Sequence, residues 1–189
     1  MKNNTNPPKQ NIWTIPNILS IFRLCLIPVI MWLYGFKANY PATLAVLALS
    51  GLTDIADGFI ARKFNMISDF GKMLDPVADK ITQFCMLLCL TDRFPNMWFP
   101  VVLLAIKEIT TGVMSLLAIR KSNAVKGAVW HGKVTTVLLY VVMGVHLVWF
   151  QMPAAVSNAL ILLCTGMMVL SAVLYGIRNM KTIRPRENA

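Results

Sequence analysis

Residues 154–177 read AAVSNALILLCTGMMVLSAVLYGI, a run without a single charged side chain. About 20 apolar residues allow a helix to cross the roughly 30 Å hydrocarbon layer of a membrane. Earlier apolar stretches of similar length lie at about residues 16–35, 40–61, 73–91, 97–119 and 129–150. The sequence therefore predicts an all-α integral membrane protein with six transmembrane helices.

The composition agrees with a membrane protein. The 189 residues are 57% hydrophobic and only 14% charged, with a mean hydropathy of +0.62. Soluble domains carry about 25% charged residues, and a chain this short cannot bury so many apolar side chains inside itself. Despite the net charge of +10, a soluble nucleic-acid-binding protein is therefore disfavoured. The positive charge instead suits an anionic membrane surface and a phosphate-bearing substrate.

The basic residues fall mostly on one side of the predicted helices, and the opposite side would carry only Lys37 and Arg93. The positive-inside rule then predicts that both termini face the cytoplasm. We expect a mobile N-terminal tail over residues 1–11, a six-helix domain over 12–180 and a cytoplasmic tail over 181–189. We also expect a short interfacial helix within Trp13–Ser20, before the first span.

Four carboxylates lie at the predicted cytoplasmic ends of the second and third spans. Asp54 and Asp57 are three residues apart, and Asp75 and Asp79 are four apart, so each pair shares one face of its helix. If the two helices form a hairpin, all four carboxylates converge, and a divalent cation would relieve their repulsion. Ligands that are all oxygen favour Mg²⁺ or Mn²⁺. Four carboxylates are enough for two ions, an arrangement suited to phosphoryl transfer.

The surroundings of these aspartates allow two interpretations. In the first, Gly58 and Ala61 leave room for a ligand on the Asp54 face, and Arg62 reaches a diphosphate with its planar fork. In the second, the aspartates form ordinary salt bridges with the nearby basic residues Arg62, Lys72 and Lys80. Two non-enzymatic functions also stay open. A membrane carrier needs polar groups that continue toward the far side, which the sequence hardly supplies, and a scaffold protein leaves the spacing unexplained.

The segment from Asp54 to Asp79 matches the pattern D-x2-D-G-x2-A-R-x8-G-x3-D-x3-D, which resembles the signature of the CDP-alcohol phosphotransferase family. The segment Ile15–Arg23, IPNILSIFR, is similar to the family's first-helix pattern P-N-x-L-T-x-x-R. The resemblance implies a CDP-diacylglycerol donor, whose β-phosphorus is attacked by the hydroxyl of an alcohol acceptor with release of CMP. It further implies a homodimer in the cell membrane, with the active site facing the cytoplasm.

The resemblance also assigns roles to single residues. It makes Asp79 both a metal ligand and the base that deprotonates the acceptor hydroxyl. Because a bound metal weakens a carboxylate as a base, the alternative role of Asp79 is to position the hydroxyl. The metal ligands that it implies are Asp54, Asp57, Asp75 and Asp79. The CDP-binding residues that it implies are Asp54, Gly58, Ala61, Arg62 and Gly71.

The acceptor is predicted from finer resemblances. The segments FGKMLDPVADK (residues 70–80) and WHGKV (residues 130–134) look most like the phosphatidylglycerophosphate synthase branch, which uses sn-glycerol 3-phosphate. The dianionic acceptor would need a cationic pocket, for which the candidates are Lys72, Lys107, Lys133 and Arg120. His131 and His146 are further candidates for a contact with substrate, although His146 lies in an apolar stretch typical of a packed side chain.

Three positions depart from that branch. Lys107 replaces the arginine of its R-E-I segment, Ser115 replaces a second arginine, and Thr135 replaces the second lysine of G-K-V-K-T. An arginine-to-lysine change loses a bidentate grip on phosphate. The cardiolipin synthases of the family are similar in lacking that second lysine. Their acceptor, phosphatidylglycerol, carries one charge less and is the alternative prediction.

Overall fold

The computed structural model describes residues 14–64, 69–122 and 130–183. These residues form six α-helices and one short 3₁₀ helix at Pro95–Met97, without a β-strand, so the predicted all-α class is confirmed. The helices are α1 (Ile15–Gly35), α2 (Tyr40–Lys63), α3 (Asp69–Thr91), α4 (Trp98–Ser122), α5 (Trp130–Val148) and α6 (Ala154–Ile183). The predicted tail of residues 1–11 lies outside the described residues, whereas α6 continues into the predicted tail of residues 181–189.

Three of the helices are long and apolar enough to cross a membrane, at Ile15–Gly35, Tyr40–Ala61 and Ala154–Arg178. Within α5, Gly132–Val148 is a shorter apolar helix, and α3 carries several charged residues in its first half. The apolar side chains of Leu162 and Leu163 on α6 are largely exposed, as expected for a surface that faces lipid. The structure therefore has the helices of an integral membrane protein, while the count of six spans stays a prediction.

In the described residues, the expected interfacial helix is not separated from the first apolar helix. α1 follows Thr14 directly, has proline in its first turn and continues without a break to Gly35. Asn17 and Ser20 are 2% and 1% exposed. Ile15 and Ile18 are 51% and 48% exposed, so the first turns of α1 have a buried polar face and an exposed apolar face. Trp13 lies outside the described residues.

α3 begins earlier than the apolar pattern predicts. The apolar stretch at about 73–91 places Pro76 in the first turn of the predicted helix. In the structure α3 starts at Asp69, and Pro76 lies in the helix interior. A proline there has no N–H for the carbonyl four residues earlier. The polar residues before Pro76 are helical although they are not apolar, which is why hydropathy alone missed them.

A tight connection joins α1 to α2. Ala38 has a φ of 47°, the left-handed region that non-glycine residues rarely adopt. The side chain of Asn39 then accepts a hydrogen bond from the backbone N–H of Ala42 at 3.1 Å, which caps the start of α2. The chain therefore reverses within a few residues.

The described chain divides into two compact units, with the boundary inside α3 between Thr82 and Gln83. In the first unit, α1 packs against α2, and Ile30, Tyr34 and Leu47 are buried. In the second unit, α4 and α5 both pack against α6, around a core that includes Met143 and Met168. The division into a single domain over residues 12–180 stays a prediction.

Candidate functional site

Three aspartates from two helices converge in the first unit. Asp54 and Asp57 come from the last turns of α2, and Asp75 comes from α3. One carboxylate oxygen of each lies within 4.8 Å of the others. The side chain of Asp57 is fully buried, whereas those of Asp54 and Asp75 are 44% and 36% exposed. The cluster therefore reaches from the protein interior to an accessible edge.

Asp79 lies one turn beyond Asp75 on α3 and is not part of this group of three. Its Oδ2 is 3.9 Å from Nζ of Lys80. Asp79 still acts on Asp54 through electrostatic repulsion, as does Asp75. The structure thus brings three of the four predicted carboxylates together and leaves the fourth beside them.

Among the side chains that the structure describes, Arg23 of α1 brings a positive charge into contact with the cluster. Nη1 of Arg23 is 2.7 Å from Oδ1 of Asp54 and 3.7 Å from Oδ1 of Asp75, and its Nη2 is 2.6 Å from Oδ2 of Asp57. The second interpretation of the sequence predicted salt bridges from the aspartates to Arg62, Lys72 and Lys80, not to Arg23. Of these, Lys80 contacts Asp79, while the side chains of Arg62 and Lys72 lie outside the described residues.

Ser20 is a second contact from α1. Its hydroxyl lies 2.9 Å from Oδ1 of Asp75, to which it donates a hydrogen bond, and 3.1 Å from the carbonyl of Pro16. Asn17, Ser20 and Arg23 follow one another at intervals of three residues and are all buried, so they form a polar stripe on one face of α1.

Reasoning from the sequence did not identify Arg23 or Ser20 as site residues. Both residues were noted only as part of the first-helix pattern. The available signal was the charge itself, because an arginine inside a membrane-spanning stretch is costly and normally has a partner in the protein.

Small residues border the cluster. Gly58 and Ala61 lie on the same face of α2 as Asp54 and Asp57, and both are half-buried. Gly71 lies one turn before Asp75 on α3 and is also half-buried. The backbone is therefore accessible to a ligand on both helices next to the carboxylates.

The residues fit a hard divalent cation. The ligands offered are all carboxylate oxygens, the type that Mg²⁺ and Mn²⁺ prefer. Oδ1 of Asp57 is buried and has no hydrogen-bond partner in the described part of the chain. A buried carboxylate oxygen without a partner is costly, and a cation at the cluster would satisfy it. The chemistry of this cluster is therefore compatible with a bound Mg²⁺ or Mn²⁺.

The predicted acceptor residues that can be described lie in the second unit. Lys107 on α4 is 7% exposed, and its Nζ is 3.3 Å from Oε1 of Glu108. It lines a cavity of about 280 Å³ between α4 and α6, together with Thr110, Thr111 and Tyr175. Lys133 on α5 is exposed. The side chains of Arg120 and His131 lie outside the described residues.

His146 is packed in the core of the second unit. It is 1% exposed, its Nδ1 is 2.7 Å from the carbonyl of Val142, and its Nε2 is 3.0 Å from Oγ of Ser157. The ring also packs edge to face against Phe94 at 4.6 Å. Both ring nitrogens are therefore engaged within the protein, which agrees with a structural role.

Comparison with known proteins gives a consistent result. The family model described as CDP-alcohol phosphatidyltransferase matches residues 13–175. A protein of Rickettsia bellii (strain RML369-C) named CDP-diacylglycerol--glycerol-3-phosphate 3-phosphatidyltransferase is 36% identical over 110 residues, which are 57% of this chain and 61% of that protein.

Relatives with another name are similarly close. The cardiolipin synthase (CMP-forming) of Streptomyces coelicolor is 38% identical over 119 residues, 60% of this chain and 55% of that protein. The human cardiolipin synthase (CMP-forming) is 51% identical over 73 residues, 38% of this chain and 24% of that protein. The chain thus spans less than two thirds of the length of these relatives.

Proposed function

Because the chain belongs to the CDP-alcohol phosphatidyltransferase family, we propose that it transfers the phosphatidyl group of CDP-diacylglycerol to an alcohol acceptor, with release of CMP. The observation that carries this proposal is the convergence of Asp54, Asp57 and Asp75 around a buried carboxylate oxygen without a partner. Such a site suits a reaction in which negative charge on phosphate must be balanced.

The reaction requires that one bond to phosphorus forms while another breaks. The acceptor hydroxyl attacks the β-phosphorus of the donor, the bond between that phosphorus and the CMP oxygen breaks, and the hydroxyl proton passes to Asp79. Asp54, Asp57, Asp75 and Asp79 would hold Mg²⁺ or Mn²⁺, with two ions as the proposed number. The metal, when bound, supplies charge stabilisation at the phosphates.

The donor is proposed to lie along the small residues beside the cluster. Gly58, Ala61 and Gly71 would admit the cytidine and the diphosphate, because none of them has a side chain larger than a methyl group. Arg62, the last residue of the run from Asp54 to Arg62 on α2, would meet the diphosphate with its guanidinium fork. Asp54, with its accessible side chain, would contact the same nucleotide.

For the acceptor we propose sn-glycerol 3-phosphate, which would make the product phosphatidylglycerophosphate and place the protein in phospholipid biosynthesis. Lys107 is one candidate for binding the phosphate of this acceptor; it is buried, contacts Glu108 and lines a mostly apolar cavity with Thr110, Thr111 and Tyr175. Lys72 and Lys133 are the further cationic candidates. The buried Thr135 favours the second candidate, phosphatidylglycerol, because no cation stands at that position. The relatives carry both names.

We further propose that the protein crosses the cell membrane six times, with both termini and the active site on the cytoplasmic side, and that it forms a homodimer. The distribution of basic residues supports the orientation.

The test is an assay of the purified protein in detergent with CDP-diacylglycerol and Mg²⁺ or Mn²⁺. Glycerol 3-phosphate and phosphatidylglycerol are offered in separate reactions, and CMP release is measured. We expect CMP with glycerol 3-phosphate, and none when EDTA removes the metal. CMP with phosphatidylglycerol alone would reverse the choice of acceptor, and no CMP with either acceptor would contradict the proposed function.

A further inference from the structure

The guanidinium of Arg23 lies among three carboxylates and is inaccessible to solvent. Its two terminal nitrogens contact Asp54 and Asp57 at 2.7 and 2.6 Å, and Asp75 is 3.7 Å away. The arginine and Asp57 are both 0% exposed in their side chains. An arrangement so deeply buried is stable only while each charge keeps its partner.

We propose that Arg23 is a built-in counter-ion of the aspartate cluster, which holds the carboxylates together and carries part of the charge that a metal ion would otherwise have to balance. The inference rests on the metal site of the proposed function. Three carboxylates contribute a charge of −3, and Arg23 contributes +1. Arg23 therefore offsets one of these negative charges, and bound metal would balance the remainder.

The geometry explains why an arginine occupies this position. Its planar fork presents two nitrogens to two different carboxylates, which a lysine ammonium on a single atom does not reproduce. The fork contacts Asp57 through Oδ2, whereas Oδ1 of the same carboxylate has no hydrogen-bond partner in the described residues. Arg23 therefore fixes one oxygen of Asp57 and leaves the other for a cation.

Ser20 holds the carboxylate on α3 as Arg23 holds those on α2. Its hydroxyl donates to Oδ1 of Asp75 at 2.9 Å, so α1 contacts the carboxylates of both other helices. Ser20 and Arg23 are thus positioning residues, which act on the site through the aspartates.

If Arg23 is a counter-ion, its removal should change how strongly a bound metal stabilises the folded protein. Without Arg23, no cationic side chain of the described residues contacts the buried Asp57 carboxylate, so its charge depends more strongly on a bound metal. We expect Arg23→Gln to lower the melting temperature in EDTA by roughly 5–10 °C, because breaking a buried ion pair leaves a charge without compensation. A ligand that binds only the folded state stabilises it, so Mn²⁺ should raise the melting temperature of Arg23→Gln by more than that of the wild type.

The experiment measures thermal unfolding of the full chain in detergent, in EDTA and across a Mn²⁺ titration. Arg93→Gln is the matched control, since Arg93 packs against Phe150 in the second unit and should leave the Mn²⁺-dependent shift unchanged. Arg23→Lys should give an intermediate shift because it keeps the charge but loses the fork. Should Arg23→Gln not fold, Arg23→Lys and Ser20→Ala are measured instead, and both should respond to Mn²⁺ more than the wild type.

A shift by Mn²⁺ that is equal in the wild type and in the folded Arg23 variants would overturn the proposal. The readout is independent of turnover. If the wild type releases no CMP but the Arg23 variants show the larger shift, the proposed function fails while the counter-ion role stands.

Discussion

Asp75 differs from Asp54 and Asp57 because it reaches the cluster from another helix. Its carboxylate accepts from Ser20 and lies 3.7 Å from Arg23. A neutral side chain of the same shape would keep the hydrogen bond from Ser20 but remove the charge that a metal ion requires. Asp75 is therefore the position at which the metal site can be altered with the least change in packing.

We predict that Asp75→Asn lowers the rate of CMP release by about 100-fold or more, since the loss of a ligand should exceed the 10–100-fold effect of an outer partner. The melting temperature in EDTA should change by only a few degrees. Asp92→Asn, at an exposed aspartate after α3, is the control and should keep full activity. Retained turnover in Asp75→Asn would contradict the metal role of this residue.

At the level of elements, the packing of α5 against α6 depends on a glycine. A Cβ built at Gly132 would lie 2.8 Å from the hydroxyl and 3.2 Å from Cε2 of Tyr175. Such a distance to the hydroxyl is too short for a side-chain atom, so Tyr175 would have to move. Because Gly132 has no side chain, Tyr175 of α6 can lie close to the start of α5.

We predict that Gly132→Ala lowers the melting temperature by a few degrees, because overpacking that costs about 1–3 kcal/mol exceeds the gain of about 1 kcal/mol in helix propensity. Adding Tyr175→Phe should recover part of the loss, because it removes the nearest atom. Gly166→Ala is the matched control: a Cβ there meets nothing within 4 Å, and alanine favours a helix over glycine by about 1 kcal/mol. Equal effects of the two alanine substitutions, measured by thermal unfolding, would contradict this account of the α5–α6 contact.

The elements themselves were largely predictable, whereas their contacts were not. The existence of α6 was predicted from the apolar run at 154–177, because length and hydropathy are local properties of the sequence. The position of Pro76 within α3 was predicted wrongly, because the first residues of α3 are too polar to be recognised as part of an apolar helix. The pairing of Arg23 with Asp57 was not predicted because the two residues are 34 positions apart and meet only through the packing of α1 on α2. Spacing within a helix predicts a shared face, but not which helix lies opposite.

At the level of the whole molecule, the orientation in the membrane is the main open prediction. Lys37 and Asp92 belong to the connections that follow α1 and α3, and Lys63 ends α2. We predict that, in intact cells, a membrane-impermeant thiol reagent labels Lys37→Cys and Asp92→Cys but not Lys63→Cys. The variants are made in a chain whose four cysteines are replaced. Labelling of Lys63→Cys before the cells are opened would reverse the proposed orientation.

The contact between Arg23 and the aspartates of α2 also affects how the chain enters a membrane. An arginine near the centre of a helix raises the free energy of insertion by about 2.5–3.5 kcal/mol on the scale measured with the translocon. Asp54 and Asp57 lie toward the end of α2, so each adds a smaller cost than a charge at the helix centre when α2 is alone. The two helices are joined by a tight turn and cancel part of each other's charge once paired. Entry as a helical hairpin therefore avoids most of the energetic cost that each helix would meet separately during biogenesis.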